Sequence, residues 1–256
     1  MNYTEFKLQV LRLTGIDLNA YKENQMKRRI DANIRKHGCE NYEAYLALLK
    51  KDKVLYDEFL SYITINVSEF FRNPNQWITL EKEILPRLLG KKTSLKIWSA
   101  ACSTGDEPYS LAMLLSRFMP LHQIKILATD IDKEILAAAK RGEYVDKHIA
   151  NIPKDLRSKY IKEQDGKYII APEIKNCITF KQHDLLKDPY PTNVDLIVCR
   201  NVLIYFTEEA KNSIYTRFSE ALNKDGILFV GSTEQIIGAQ KFNLNPYRIF
   251  FYEKSI

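Results

Sequence analysis

The residues of this chain best placed to do chemistry are polar groups that stand where short apolar runs stop. The run Lys125–Thr129 ends at Asp130, Ile178–Lys181 leads into His183-Asp184-Leu185, and Asp195–Cys199 leads into Arg200-Asn201-Val202. A carboxylate just past a strand can accept hydrogen bonds from both hydroxyls of a ribose, and Asp130 stands 25 residues after Gly105, close to the spacing such a role requires. Asp130 is read here as a ribose ligand, against the alternative that Asp130 or Asp132 caps the helix that follows. His183-Asp184-Leu185 offers a carboxylate and an apolar side chain able to frame a base, or else forms one more strand-end turn. Asn201-Val202, polar directly after so apolar a run, reads as functional. A further run, Leu95–Ala100, leads into Ala101-Cys102-Ser103-Thr104-Gly105-Asp106-Glu107-Pro108, where small residues allow close backbone approach and Pro108 can open a helix. That loop has one glycine, so it is not the GxGxxG dinucleotide fingerprint, and taken alone it is equally a structural turn.

These groups need elements to hold them, and the hydrophobic pattern supplies two kinds. Residues 1–90 repeat apolar positions every three or four residues and carry only Gly15 and Gly38 before Gly90, the grammar of a helical domain. Asn73-Pro74 predicts a capped helix start, and Trp77, Leu80, Ile84 and Leu88 predict one buried face, ending near Gly90. After Lys91-Lys92-Thr93-Ser94 the pattern becomes strand and helix in alternation. Strands are expected at Leu95–Ala100, Lys125–Thr129, Ile178–Lys181, Asp195–Cys199, Ile227–Val230 and Arg248–Glu253, and helices at Pro108–Met119, Lys133–Arg141 and Glu208–Asn223. Such alternation indicates an α/β fold with a doubly wound parallel sheet, whose ligands sit beyond the C-terminal strand ends. The stretch after Gly142 interrupts it with a hairpin signal, Gln164-Asp165-Gly166-Lys167, and reads as a small inserted antiparallel β subdomain, about residues 142–180. The expected organisation is a helical domain over 1–72 and an α/β domain over 73–256 that includes a linker helix at 73–90.

Composition narrows the function classes. The 256 residues are 45% apolar and 27% charged, with a net charge of +6, ordinary for a soluble globular chain and modest for a nucleic-acid binder. Cys39, Cys102, Cys177 and Cys199 are 63, 75 and 22 positions apart, so neither a metal site nor a disulfide framework is supported. His37, His122, His148 and His183 are equally scattered, which leaves no Cys/His or Ser/His nucleophile arrangement. The N-terminus lacks an apolar signal core, and the expectation is a reduced, cytoplasmic monomer without membrane insertion. The charge is concentrated instead: Lys22, Arg28, Arg29, Arg35 and Lys36 fall on one arc of a helix whose other side carries Met26, Ile30 and Ile34. So one-sided a face suits docking to acidic helices, the alternative being a solvated face. Aromatics interleaved in a basic groove, as nucleic acid would require, are not evident.

Taken together, four segments in order resemble the CheR-type chemotaxis protein methyltransferases. They are Asn66-Val67-Ser68-Glu69-Phe70-Phe71-Arg72, the stretch from Trp98 through Ser110, Ala128-Thr129-Asp130-Ile131-Asp132, and Cys199-Arg200-Asn201-Val202-Leu203-Ile204-Tyr205-Phe206. The resemblance covers nearly the whole chain and implies a Rossmann-like domain that binds S-adenosylmethionine and releases S-adenosylhomocysteine, without a metal. It further implies methyl esters formed on receptor glutamates in the cytoplasmic helices of methyl-accepting chemotaxis receptors. By position, Asn66, Ser68 and Arg72 would contact the cofactor, Asp106 or Glu107 its amino-acid end, Asp130 its ribose, Asp184-Leu185 its adenine, and Asn201-Val202 the rim. Arg72 and Tyr205 would orient the acceptor. The chain departs from the family in having Asp106 where Glu is frequent and Asp184 where Asn is frequent. Ser232-Thr233-Glu234 matches a family loop to which no role is assigned. The hairpin at Glu163–Lys167 looks short for gripping a receptor tail, so recognition without a tethering peptide is expected. Rival readings are a methyltransferase for RNA, DNA or a small molecule, a noncatalytic nucleotide-binding docking protein, and a dinucleotide oxidoreductase, the last disfavoured by the single glycine.

Overall fold

The Asn2 side chain accepts the Glu5 N–H, and the Glu5 carboxylate returns a bond to the Asn2 N–H, a capping box that starts helix α1 (Tyr3–Thr14). Helices α2 (Glu23–Lys36), α3 (Tyr42–Lys51) and α4 (Lys53–Thr64) follow, α3 capped by Asn41 and α4 by Asp52. The computed structural model describes residues 1–90 and 92–255; Lys91, just after the expected linker helix, lies outside the described residues. Met26, Ile30 and Ile34 are buried on one side of α2, as their spacing requires, beside a core that includes Phe6, Val10, Tyr45, Leu49, Phe59 and Ile63. The chain forms two compact units, and the helical one comprises Met1–Asn66 together with Ile204–Ser213. The latter segment is tied in by backbone bonds from Lys22 N–H to the Tyr205 carbonyl, 2.9 Å, and from Thr207 N–H to the Ala20 carbonyl, 2.8 Å.

The second unit is Val67–Leu203 with Ile214–Ile256. Its boundary falls earlier than residue 72 because Phe70 and Phe71 are buried in the core of this unit, with their N–H groups on the His148 carbonyl and the Ser110 hydroxyl. The expected linker helix is built in three parts: α5 (Pro74–Thr79), a wider π turn over Leu80–Ile84, and α6 (Leu85–Leu89). Pro86 lacks an N–H and its ring crowds the carbonyl four residues back, which the wider turn relieves. Asn73 does not cap α5 as expected; it sits at φ 59°, and its side-chain oxygen accepts from Arg200 instead.

Strand β1 (Ile97–Ala100) leads to α7 (Asp106–Leu115), and β2 (Ile126–Asp130) to α8 (Lys133–Arg141). The insertion supplies β3 (Glu143–Tyr144), α9 (Asp146–Ile149), α10 (Lys154–Tyr160), β4 (Ile161–Gln164), β5 (Lys167–Ile170) and α11 (Pro172–Lys175), with a separate antiparallel sheet in the order β3-β5-β4. Strands β6 (Ile178–Gln182) and β7 (Val194–Cys199), helix α12 (Glu208–Ala221), and strands β8 (Leu222–Val230), β9 (Leu244–Arg248) and β10 (Phe251–Lys254) complete the chain. The main sheet runs β6-β2-β1-β7-β8-β10-β9. Five of these strands are parallel, and β10 is antiparallel to both neighbours. The single final strand expected at Arg248–Glu253 is therefore a hairpin, bent at Phe250 with φ 69°; Pro246 is tolerated because β9 is an edge. Every residue of β1 and of β7 is buried, as expected for central strands covered on both faces.

Candidate functional site

Strand order reverses between β1 and β7: β2 and β6 extend from one side of β1, β8 from the far side of β7. In such a sheet the crevice lies past the C-terminal ends of those two strands. The loops there hold non-glycine residues at positive φ, namely Ala101 at 63°, Ser103 at 50° and Asn201 at 61°. Clustered backbone strain of this kind survives only where surrounding contacts over-determine it.

After β1, Gly105 stands at φ 89° and precedes α7; a Cβ there would lie 3.0 Å from Ala139 Cβ and 3.2 Å from the Tyr109 ring. The two acids that follow point in different directions, about 100° apart around the helix axis. Asp106 is fully buried, accepting from Thr104 Oγ1 at 2.5 Å and facing His148 Nδ1 at 2.7 Å. Glu107 accepts from Ser99 Oγ at 2.8 Å and lies 3.8 Å from Arg200 Nη1. Burial pushes the Glu107 carboxyl up to about 7, partly offset by the Arg200 charge and the Ser99 hydrogen bond.

At the end of β2, Asp130 accepts the Ser103 N–H at 2.8 Å on one oxygen and the Asp132 N–H at 3.1 Å on the other. Burial raises it to about 6, opposed by these backbone hydrogen bonds. Capping of α8 falls to Asp132, which accepts from Glu134 and Ile135. Asp130 is thus the acid at the strand end that does not cap. After β6, Asp184 accepts the Leu186 N–H at 2.8 Å, and Leu185 is buried with its carbonyl held by Tyr190 Oη and Arg217 Nη1.

Four residues carry weight that the sequence did not assign: Arg200 past β7, Glu234 past β8, and Tyr144 and His148 of the insertion. Arg200, with 2% of its side chain exposed, donates through Nη2 to the Arg72 carbonyl at 2.7 Å and to Gln76 Oε1 at 2.7 Å, and packs over the Phe229 ring. It anchors the backbone of Arg72, whose own guanidinium donates to the Val67 carbonyl at 3.2 Å. Glu234 accepts the N–H groups of Asn201, Leu203 and Gly231. Tyr144 and His148 reach from the insertion to Thr104 and Asp106. The resemblance contained Arg200 and Glu234 within quoted motifs; no local pattern pointed to the insertion's side chains. Ser68 and Val202 are half-buried in this unit.

The helical unit holds the other expected residues. Asn66 donates to Thr64 Oγ1 at 2.9 Å. A cavity of about 600 Å³ is lined by Lys22, Arg28, Arg29, Arg35, Tyr62 and Tyr205, among others. Among the described residues Asp31 is the only acid on its wall, and that carboxylate is already engaged by Lys27 and the Tyr42 hydroxyl. Arg28, Arg35 and Lys36 are exposed, whereas Arg29 is partly tied down: it donates to the Tyr62 carbonyl at 2.5 Å and lies 4.5 Å above that ring. Lys36 does not line the cavity. Among the described residues no group of acids, cysteines and histidines could hold a metal ion, and no helix is long and apolar enough to cross a membrane.

Comparison with known proteins bears on both units. Residues 1–64 match the CheR methyltransferase all-alpha domain and residues 66–250 the CheR methyltransferase SAM-binding domain. A chemotaxis protein methyltransferase of Listeria monocytogenes is 47% identical over 255 residues, 99% of this chain and 97% of its own length. One from Borreliella burgdorferi is 35% identical, across 88% of this chain and 84% of its own. One from Salmonella typhimurium is 28% identical, across 96% and 88%.

Proposed function

The chain belongs to the CheR methyltransferase family, and from that premise we propose that it methylates side-chain carboxylates of glutamates in the cytoplasmic helices of chemoreceptors, using S-adenosylmethionine. One observation carries the cofactor half of this reading. Glu107, Asp130 and Asp184-Leu185 follow three strands that are adjacent in the sheet, β1, β2 and β6. Neighbouring strands lie about 4.8 Å apart, so these groups are laid out across roughly 10 Å, the scale of an extended nucleoside with an amino-acid arm. Glu107 takes the ammonium of that arm, Asp130 the ribose hydroxyls, and Asp184-Leu185 the base; Asn201 and Val202 form the rim, with Asn66, Ser68 and Arg72 as further contacts. The residues fit such a group. Ser103 Oγ is buried beside Asp130 without a hydrogen-bond partner among the described residues, and the strained loop at 101–103 brings backbone rather than bulk to the crevice.

When bound, S-adenosylmethionine supplies a sulfonium methyl, which leaves sulfur for a carboxylate oxygen and leaves S-adenosylhomocysteine behind. A glutamate acceptor, with an ordinary pKa near 4.3, is already an anion at neutral pH, so the chain needs no general base. Its tasks are to align the acceptor, exclude water and steer an anion. The four cations on the cavity wall beside Tyr205 support the second half of the reading, in which the helical unit receives acidic helices and Tyr205 and Arg72 orient the acceptor carboxylate. Lys36, just outside the cavity, extends the same charge. The insertion's hairpin is short, and the reading includes no tethering peptide. The enzyme acts in the cytoplasm on receptors that are themselves membrane-bound.

The test uses methyl-labelled S-adenosylmethionine with receptor-containing membranes, followed by mild alkali. Label on receptor bands released as methanol is the expected result. Cofactor binding without transfer to receptors bearing free glutamates would point to another acceptor.

A further inference from the structure

Glu234 is a buried carboxylate that neither the cofactor nor the acceptor role uses. It is 5% exposed, in the loop after β8. One oxygen accepts the N–H of Asn201 at 2.6 Å and of Gly231 at 2.8 Å, and the other accepts Leu203 N–H at 2.7 Å. Two of these donors are two residues apart in the loop leaving β7, so a single carboxylate chelates that loop across Val202. Asn201 stands there at φ 61°, a left-handed conformation that asparagine adopts more readily than most non-glycine residues, and the carboxylate fixes the loop in it. The fit leaves no slack on the opposite side: a Cβ on Gly231 would stand 2.5 Å from Glu234 Oε2 and 2.8 Å from the Asn201 nitrogen.

We propose that Glu234 is a positioning residue for cofactor binding, fixing the β7 exit loop so that Asn201 and Val202 present one preformed edge. This rests on the assignment of those two residues to the cofactor rim. Its physical basis is preorganisation: a loop already chelated in its strained form loses little further freedom when a ligand docks. Glu234 also acts at a distance on Glu107, because its negative charge is one of the influences raising that carboxyl, together with burial and against Arg200, Ser99 and Arg72.

Three variants separate positioning from mere stability, read by calorimetric titration with S-adenosylhomocysteine and by thermal unfolding. Glu234→Gln keeps the volume but turns an amide towards N–H donors; Gly231→Ala pushes on the same contact from the other side. Asp195→Asn is the control: that carboxylate accepts Lys96 N–H at 2.8 Å and Asn223 Nδ2 at 2.6 Å near the opposite end of β7. Both loop variants should weaken binding by about tenfold, the loss expected when a buried polar partner is removed. Asp195→Asn should lower the unfolding temperature and leave affinity within about twofold. Glu234→Gln should also move the pH midpoint of binding below that of the native chain, since a negative charge is gone, whereas Gly231→Ala should not. If Glu234→Gln does not fold, Gly231→Ala decides. Native binding with unchanged affinity in the loop variants, or equal losses in Asp195→Asn, overturns the role of Glu234 alone. Failure of the native chain to bind S-adenosylhomocysteine overturns the cofactor assignment beneath it.

Discussion

Two adjacent acids illustrate how environment divides labour. Asp106 is sealed between Thr104 and His148, inside the unit. Glu107, one helical step away, is the arm that reaches Ser99 and Arg200. The resemblance left open which of them meets the cofactor, because a methylene of difference in length says nothing about direction. Burial raises Glu107 from 4.5 to about 7, so the folded chain holds a proton that the unfolded chain has released. The stability this group confers is complete below about 4.5 and is lost as pH climbs through about 7. Binding of an ammonium runs the other way, since it needs the carboxylate. Affinity for S-adenosylhomocysteine should therefore rise by about tenfold per pH unit on the acid side of the midpoint and level off above about 7. Titrations across that range would show it, and in Glu107→Gln the step near 7 should vanish. Asp130, raised to about 6, would leave a separate and more acidic step.

At the scale of elements, the first loop is clamped between α8 and the insertion. Gly105 starts α7 in a left-handed conformation against Ala139, and Tyr144 Oη donates to the Thr104 carbonyl at 2.7 Å. Gly105→Ala meets both a strained φ and a contact of 3.0 Å to Ala139 Cβ, which α8 would have to yield. A loss of about 1–3 kcal/mol in chemical denaturation is expected, from left-handed strain plus overpacking, along with weaker cofactor binding. A variant as stable as the native chain would show that the loop relaxes freely. The sequence exposed the helix start and the small residues of this loop, because turn chemistry is local. It could not expose the clamp, since Tyr144 and His148 come from an insertion whose docking is a tertiary event. Likewise Asn73 looked like a cap, the ordinary use of Asn before Pro, until Arg200 claimed its side chain from 127 residues away.

For the whole molecule, the proposed cofactor groups other than Asn66 fall in one compact unit and the proposed docking cations in the other, so the proposal predicts that the two functions separate. Asp130→Ala should weaken cofactor binding by about 1–3 kcal/mol by leaving ribose hydroxyls unpaired. Arg29→Ala combined with Arg35→Ala should instead leave cofactor affinity unchanged and slow receptor modification several-fold, more so at low salt, because a charged face chiefly speeds encounter. Of the pair, Arg35 should matter more, as Arg29 is partly committed to Tyr62. Transfer assays at two ionic strengths beside cofactor titrations would check this, and parallel loss of both functions would sink the separation.

Local chemistry was enough to place the helical front half, the alternating second half, the insertion, the basic arc of α2 and the strand-end acids, since each follows from periodicity or from a residue beside its own strand. Asp130 could be singled out from sequence because its position depends only on the strand that ends there. Only the tertiary structure decided the rest. It turned Asp106 inward, passed the cap of α8 to Asp132, returned Ile204–Ser213 to the helical unit and gave Glu234 its three amide donors. Each of these depends on partners distant in sequence or on the direction of a side chain, and neither is encoded by spacing along the chain.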